Sequence, residues 1–354
     1  MMTTYERFKR MYEHREADRI PIIDFAWGGT VRRWHNEGMP EGVIWEDYFG
    51  ADKEGIIGID LAPRVPSKII EETDRYIIAT NAWGATVKTF KELDSTPEFL
   101  DYKVTDAEAW AEAKALMTLE DDRIPWDMLK NNYDKWRAEG RWVRANFWFG
   151  FDVTHSYMMG TEDTLVAMMS EPELVMDMFD TYLNRCETFF SRIWDAGYKF
   201  DEIMWWDDMG YKGTSFFSPE LYKEVLKPYH ARAVQWAHDR GIYAHLHSCG
   251  NIMGLLPEII DTGVDALNPL EVKAGMDTLL LKREYGDKLV LHGGINAVNW
   301  KNPEAIIAEM EEKIPVLKEN GGYIFSSDHS IPNDVSLENM KLIMAKVKEL
   351  GTYN

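Results

Sequence analysis

Residues 242–251 read Ile242-Tyr243-Ala244-His245-Leu246-His247-Ser248-Cys249-Gly250-Asn251, an apolar run of strand length that ends in imidazole, hydroxyl, thiol and glycine. A helical pattern at 219–240 precedes this run and another at 253–262 follows it. Outward from there the alternation repeats. Strand-like runs at 142–149, 202–206, 266–267, 289–291 and 323–325 are separated by helical patterns that include 276–285 and 303–320. Pro219 and Pro303 stand where a first helical turn tolerates a missing N–H, and Ser218 is placed to cap the first of these helices. Strands that alternate with helices are expected to be parallel, because parallel neighbours need a crossover connection. With the segment 21–25 and a strand near 55–60, about eight such strands can be counted. The expected fold is therefore α/β, a (β/α)8 TIM barrel, with an open doubly wound sheet as the alternative.

One stretch departs from the alternation. Residues 76–79 and 86–90 flank Asn81-Ala82-Trp83-Gly84, a hairpin pattern, and 94–132 reads as an acidic helical insertion. The whole is expected to be one barrel domain, elaborated over about residues 70–135. No solenoid-period repeat, low-complexity run or Gly/Ser linker divides it.

Composition narrows the function. Lys and Arg total 39 against 60 Asp and Glu, a formal net charge of −21. A field of that sign repels phosphate backbones and anionic headgroups, so neither nucleic acid nor a membrane surface is an expected partner. The first ten residues are polar and charged, and no run of about 18 apolar residues occurs, so a cytoplasmic protein is expected. Only two cysteines are present, Cys186 and Cys249. Cys186 lies within a helical pattern and reads as a buried structural thiol, and no disulfide framework is expected. The 14 Trp read first as core packing.

In a barrel the chemistry belongs at the carboxyl ends of the strands. Those ends carry Asp207-Asp208, His247-Ser248-Cys249, Asn268-Pro269-Leu270-Glu271, His292-Gly293-Gly294-Ile295-Asn296 and Ser326-Ser327-Asp328-His329. Along an extended strand alternate side chains share a face, so His245, His247 and Cys249 would project together. Imidazole nitrogen and thiolate sulfur are ligands that Zn²⁺ favours. His247 and Cys249 are the candidate pair, and His245 reads as a core residue lying deeper. The third ligand must come from another strand end, from His329 or from Glu271 and His292. The competing reading is two hydrogen-bonded core histidines beside a small apolar cysteine. Asp207 and Asp208 repel each other, which suits acid–base work, although alternation turns only one of them inward. Glu271 is a third candidate acid, and Asp328 could contact substrate or orient a metal-bound His329. No phosphate-binding glycine loop and no nucleophile-elbow serine is found.

The segments His247–Asn251, Gly263–Pro269 and Pro332–Asn339, together with Asp207-Asp208-Met209-Gly210, Ser218-Pro219-Glu220, Pro228-Tyr229, His238 and Gly241, resemble the uroporphyrinogen decarboxylase superfamily, chiefly over residues 140–345. The arginine-bearing N-terminal sequence of its haem-pathway branch is missing. Here Asp18-Arg19-Ile20-Pro21 runs on into Ile22-Ile23-Asp24-Phe25-Ala26-Trp27, and Arg32 and Arg33 come later in another setting. The chain more closely resembles the corrinoid (cobamide)-dependent methyltransferase branch. That branch implies zinc held by the His-x-Cys pair and by a later residue ahead of Leu337-Glu338-Asn339. His329 takes that place here, where the branch commonly has Cys.

The resemblance implies methyl transfer from a small methylated donor, such as a methoxylated aromatic, to a corrinoid protein, with O-demethylation of the donor. Zinc would act as Lewis acid, and Asp207, Asp208 or Glu271 would protonate the departing oxygen. Trp27, Phe149 and Trp206 would bracket an aryl ring, and Asn251 and Asn296 would contact the cofactor. A homodimer is one assembly open to such a protein. A decarboxylase of another substrate and a non-catalytic ligand- or metal-binding barrel are the alternatives.

Overall fold

In the computed structural model, which describes residues 1–92 and 96–353, the alternating runs form a curled, seven-stranded parallel sheet. In chain order the strands are β1 (Glu54–Ile57), β2 (Ile69–Glu72), β3 (Tyr76–Thr80), β4 (Thr86–Phe90), β5 (Glu98–Asp101), β6 (Trp142–Trp148), β7 (Glu202–Trp206), β8 (Gly210–Tyr211), β9 (Thr214–Ser215), β10 (Tyr243–His247), β11 (Ala266–Asn268), β12 (Val290–His292) and β13 (Tyr323–Ile324). The parallel sheet runs β1-β6-β7-β10-β11-β12-β13. Spatial order follows chain order without reversal, so the open doubly wound alternative does not hold. The crossovers are helices, among them Pro172–Asp195, Lys227–His238, Thr278–Tyr285 and Pro303–Leu317.

The segment 21–25 is not a full strand. It meets the sheet through single bridges, Ile22 to Phe325 and Ala26 to Ile331. On its other side Ile22 C=O accepts from Asp52 N–H at 2.9 Å, and Ile22 N–H donates to the Asp52 carboxylate at 2.9 Å.

Two other expectations need correction. The helix expected over 219–240 is broken, with a π-turn at Tyr222–Leu226 between Pro219–Leu221 and Lys227–His238. Pro228 supplies the reason, since it has no N–H to continue the α-helical ladder and the chain widens by one residue ahead of it. The hairpin is present as β3 and β4, but it is the centre of a four-stranded antiparallel sheet, β2-β3-β4-β5. Part of the expected helical insertion is thus strand β5, followed by helices Ala107–Ala115 and Trp126–Ala138. Its first residue, Asp94, lies outside the described residues.

Below the sheet, the helix Thr4–Tyr12 closes the amino-terminal end. The Tyr12 ring stacks on Trp142 and Tyr243 at centroid separations of 5.5 and 4.2 Å, pairs each worth about 0.5–1.5 kcal/mol beyond burial. Its hydroxyl donates to the buried Glu202 carboxylate. Arg7 ties this helix down, bonding Asp18 at 2.7 Å and Asp52 at 2.9 Å. Arg19 reaches the other Asp52 oxygen at 2.6 Å. No described helix is long and apolar enough to cross a membrane.

The Asp52 carboxylate therefore joins the first helix, the 21–25 segment and the chain entering β1. Asp52→Ala is expected to cost about 1–3 kcal/mol, because Arg7 keeps Asp18 but one of its N–H groups and the Ile22 N–H are left buried without their acceptor; the midpoint of urea unfolding reads this directly, and an unchanged midpoint would refute it. Burial works to raise the Asp18 carboxyl, but the Arg7 and Met2 hydrogen bonds outweigh it and bring the group from 3.8 down to about 2. A depressed carboxyl stabilises the fold above its unfolded value. Its contribution should therefore be complete above about pH 4 and fall away between about pH 4 and 2, a loss that Asp18→Asn should remove from the pH–stability curve.

Candidate functional site

The parallel register of β7 against β10 sets the site. His245 lies opposite Met204 and His247 opposite Trp206. The ladder runs one residue further, with Asp207 N–H donating to His247 C=O at 2.8 Å. Side chains alternate, so Trp206 and Asp208 turn to the inner face with His247 and Cys249, whereas Trp205 and Asp207 turn outward beneath the helices.

Two glycines let the strand-end loops touch. A Cβ on Gly250, whose φ is +80°, would lie 2.1 Å from Gly210 C, and one on Gly210 would lie 2.7 Å from Asn251 N. With both side chains absent, Asn251 N–H donates to Tyr211 C=O at 3.0 Å. Cys249 N–H donates to Asp208 Oδ1 at 2.8 Å. On the other flank Glu271 Oε2 accepts from Gly250 N–H at 2.6 Å, fixing the turn.

Asp208, His247 and Cys249 offer ligand atoms that all lie within 4.8 Å of one another, the set of this kind found among the described residues. His247 Nε2 is 3.4 Å from Cys249 Sγ and 3.7 Å from Asp208 Oδ1. Tetrahedral zinc with sulfur, nitrogen and oxygen ligands spaces such atoms by about 3.3–3.6 Å, so the donor set fits that ion. The other ring nitrogen of His247, Nδ1, bonds Asn268 Oδ1 at 2.5 Å. Asn268 is oriented in turn by donating from Nδ2 to His292 C=O at 3.1 Å. The imidazole proton is thus held on Nδ1 and the Nε2 lone pair is free for a cation. Without a cation, burial pushes the Cys249 thiol well above its usual value, assisted by the Asp208 and Glu271 carboxylates. Burial likewise pushes His247 down.

The other candidates fall elsewhere. His329 lies across a cavity of about 470 Å³ whose lining includes His247, Asn268 and His292. It is exposed, and the three-atom set contains Asp208 in its place. Glu271 is committed to Gly250 and, at 3.2 Å, to Lys273. His292 faces the floor of the same cavity, its ring centroid 5.3 Å from His245. His245 is buried in that floor, with Nδ1 3.4 Å from the Tyr12 hydroxyl. Asp207 does not reach the mouth. Fully buried, it accepts from His230 Nε2 at 2.7 Å and from Asp152 N–H at 2.6 Å. Asp328 is also fully buried and holds loop backbone, accepting from Ala297 N–H at 2.7 Å.

Asn251 and Asn296 cap their own turns, accepting from Met253 N–H at 3.0 Å and Val298 N–H at 3.1 Å. Of the aromatic candidates Trp206 lines both the 470 Å³ space and a second one of about 620 Å³. Phe149 shares the outward parity of Phe147 and packs fully buried against Trp205. Trp27 stands edge-on to Phe25, and it too lines neither cavity.

Four residues to which the sequence pattern assigned no role face these spaces. Asp24, at the end of segment 21–25, accepts from Ser327 N–H at 2.6 Å and Ser327 Oγ at 2.8 Å, and burial raises its carboxyl to about 7. Arg144 projects from β6 into the smaller cavity, 3.4 Å from Glu54. Asp152 and His155 follow β6 and line the larger one. Burial and the Asp208 charge raise Asp152 to about 7, while burial lowers His155 to about 4. A signal was available for two of them, since Arg144 lies on a strand of the parallel array and Asp24 on the segment bridged to it, whereas Asp152 and His155 lie in the helical turns beyond β6.

The family model for uroporphyrinogen decarboxylase (URO-D) matches residues 152–350, more than half of the chain. Uroporphyrinogen decarboxylase of Pelodictyon phaeoclathratiforme is 30% identical over 147 residues, 38% of this chain and 39% of that protein. The enzyme of Chlorobium luteolum is 32% identical over the same length. The chain thus aligns with about two fifths of the length of these curated relatives. A methyltransferase from Methanosarcina mazei superposes with a TM-score of 0.66 at 15% identity, covering 99% of each chain, which shows a shared fold. With the family model matching more than half of its residues, the chain belongs to the uroporphyrinogen decarboxylase family.

Proposed function

We propose that this protein is a zinc-dependent methyltransferase that moves a methyl group from a small methylated donor to a corrinoid carried on a partner protein, with O-demethylation of the donor. The observation that carries this reading is the convergence of Asp208, His247 and Cys249 donor atoms within 4.8 Å at the ends of parallel strands. A structural neighbour that covers 99% of each chain is a methyltransferase, which supports the same class. In this reading the bridged segment 21–25 completes an eight-stranded barrel, and the site opens at its carboxyl-terminal mouth. The net charge of −21 suits a cytoplasmic enzyme whose partner is neither nucleic acid nor membrane.

Asp208, His247 and Cys249 would hold the ion, and Asn268 and Glu271 would orient its ligands. When bound, zinc supplies Lewis acidity toward the departing oxygen. A reduced corrinoid on the partner would supply the electron pair that takes up the methyl group, so that the pair of the methyl–oxygen bond would stay on the departing oxygen. The departing oxygen then needs a proton. Asp207 faces away from the mouth and Glu271 is held by Gly250, which leaves Asp152, beside Asp208, as the carboxyl best placed to deliver it. A second reading, decarboxylation of a small acid, draws on Arg144 lining the 470 Å³ cavity.

Zinc analysis and a transfer assay separate these. The purified chain should hold one zinc per protein, and Asp208→Ala, His247→Ala and Cys249→Ala should each lower affinity at least about tenfold, whereas His329→Ala should leave it within about twofold. Methyl–cobalt formation, followed optically with a methylated donor and a corrinoid protein, should fall by a factor of about 100 or more in Cys249→Ala. Carbon dioxide release that survives chelation and needs no corrinoid would overturn the reading. Removing His230 tests Asp207 separately. His230→Ala leaves that carboxylate buried without its partner and should cost about 3–5 kcal/mol in urea unfolding, and an unchanged midpoint would contradict its structural assignment.

A further inference from the structure

The inner face of the parallel sheet carries polar atoms for which the chain supplies no partner. Arg144 Nε and Asn146 Oδ1 on β6, His245 Nε2 on β10 and His292 Nδ1 on β12 are all buried without a hydrogen-bond partner. Such atoms are few in folded proteins, and each implies water, an ion or a ligand group. Arg144 and His292 line the 470 Å³ cavity, and so does His247, one of the three converging donors.

Charge decides what fits there. Arg144 Nη1 donates to the Met204 thioether, a weak acceptor, at 2.9 Å. The carboxylate within ion-pair distance of Arg144, among the described residues, is Glu54 at 3.4 Å. Burial outweighs the Arg144 charge at that group and pushes it up to about 7. The other acids of the lining offer no better partner. Asp52 is held by Arg7 and Arg19, and burial raises both Asp24 and Glu46. The guanidinium is thus a fixed positive charge without a fully ionised partner of its own. His292 faces His245 and His247 from β10, Arg144 from β6 and the Ile23 backbone, and burial with the first three keeps its ring neutral.

We propose that this cavity is a carboxylate-binding subsite, and that the methyl donor is a small acid anchored on Arg144 by its carboxylate. One carboxylate oxygen accepts from Arg144 Nε–H. The other shares with His292 Nδ1 a proton that enters from solvent with the anion, so both unpartnered atoms are answered by one planar group. The far end of such an acid is free to reach the His247 side of the cavity. Calling that acid the methyl donor rests on the methyltransferase reading above, whereas the subsite stands on its own.

Isothermal calorimetry on the full chain, zinc-free and zinc-loaded, tests this with methoxyacetate and its uncharged amide, 2-methoxyacetamide. We expect saturable binding of the acid to both forms, with about one proton taken up per acid bound near pH 7, and amide binding at least about thirtyfold weaker. Arg144→Met should weaken the acid at least about thirtyfold, and Arg144→Lys, which keeps the charge, by less. Phe99 and Tyr102 of the insertion line the larger cavity, so Phe99→Ala should leave the acid within about twofold. Circular dichroism and melting confirm that each variant is folded; should Arg144→Met fail to fold, Arg144→Lys and the acid–amide comparison decide. Acid binding that requires zinc and ignores Arg144 would place the carboxylate on the metal and overturn the subsite. Amide bound as tightly as acid, or no saturable acid binding, would overturn it as well. Carbon dioxide released from the bound acid without a corrinoid would uphold the subsite and sink the transfer reading, whereas methyl transfer from acid and amide with equal efficiency would do the reverse.

Discussion

The contact between Gly210 and Gly250 is the constraint on which the site depends. Two parallel strands place Trp206 beside His247, but the loops beyond them would diverge if either glycine carried a side chain. Because neither does, Cys249 N–H reaches the Asp208 carboxylate, and a carboxylate, an imidazole and a thiol from two adjacent strand ends face one point. Asn268 from the next strand then fixes the imidazole's proton on the far nitrogen. The proposed metal centre thus needs no long-range motion to assemble, and its geometry follows from strand parity and one backbone approach.

Beneath that centre the sheet interior is unusually polar. Barrel interiors are commonly filled by layers of branched aliphatic side chains. Here Glu202, His245, His292 and Arg144 occupy the inner face, sealed from below by Tyr12 and the stack on Trp142. Burial holds both His245 and His292 well below their usual pKa, so they stay neutral, and the Arg144 charge works in the same direction. The interior thereby combines two neutral imidazoles with the Arg144–Glu54 ion pair and the buried Glu202 carboxyl, and it supplies a firm floor to the smaller cavity.

Much of this was legible in the sequence. Strand and helix periodicity identified the parallel array, and the inward parity of His247 and Cys249 followed from counting by twos. The same count said that only one of Asp207 and Asp208 could face inward; which one depends on where β7 ends, and the ladder bond from Asp207 to His247 C=O settles it. His329 was chosen by position relative to Leu337-Glu338-Asn339, a one-dimensional measure, whereas Asp208 enters through the glycine contact, which is visible only in three dimensions. Phe149 illustrates a different loss. Being aromatic at a strand end is not enough, because its parity matches Phe147 and sends it into the core. Asp152, His155, Phe99 and Tyr102 escaped notice for a related reason. They reach the site from the helical turn Phe151–Val153 and the π-turn Thr154–Met159 after β6 and from an insertion, and none of these keeps the strand–helix period by which the other positions stand out.

In the proposed centre one sulfur, one imidazole nitrogen and one carboxylate oxygen of this chain hold a single zinc ion. X-ray absorption at the zinc edge of the reconstituted protein tests it most directly. Such a centre shows one sulfur at about 2.3 Å and the remaining neighbours as nitrogen or oxygen at about 2.0–2.2 Å, with the sulfur shell lost in Cys249→Ser. A coordination sphere without sulfur, or with one that Cys249→Ser leaves intact, would contradict it.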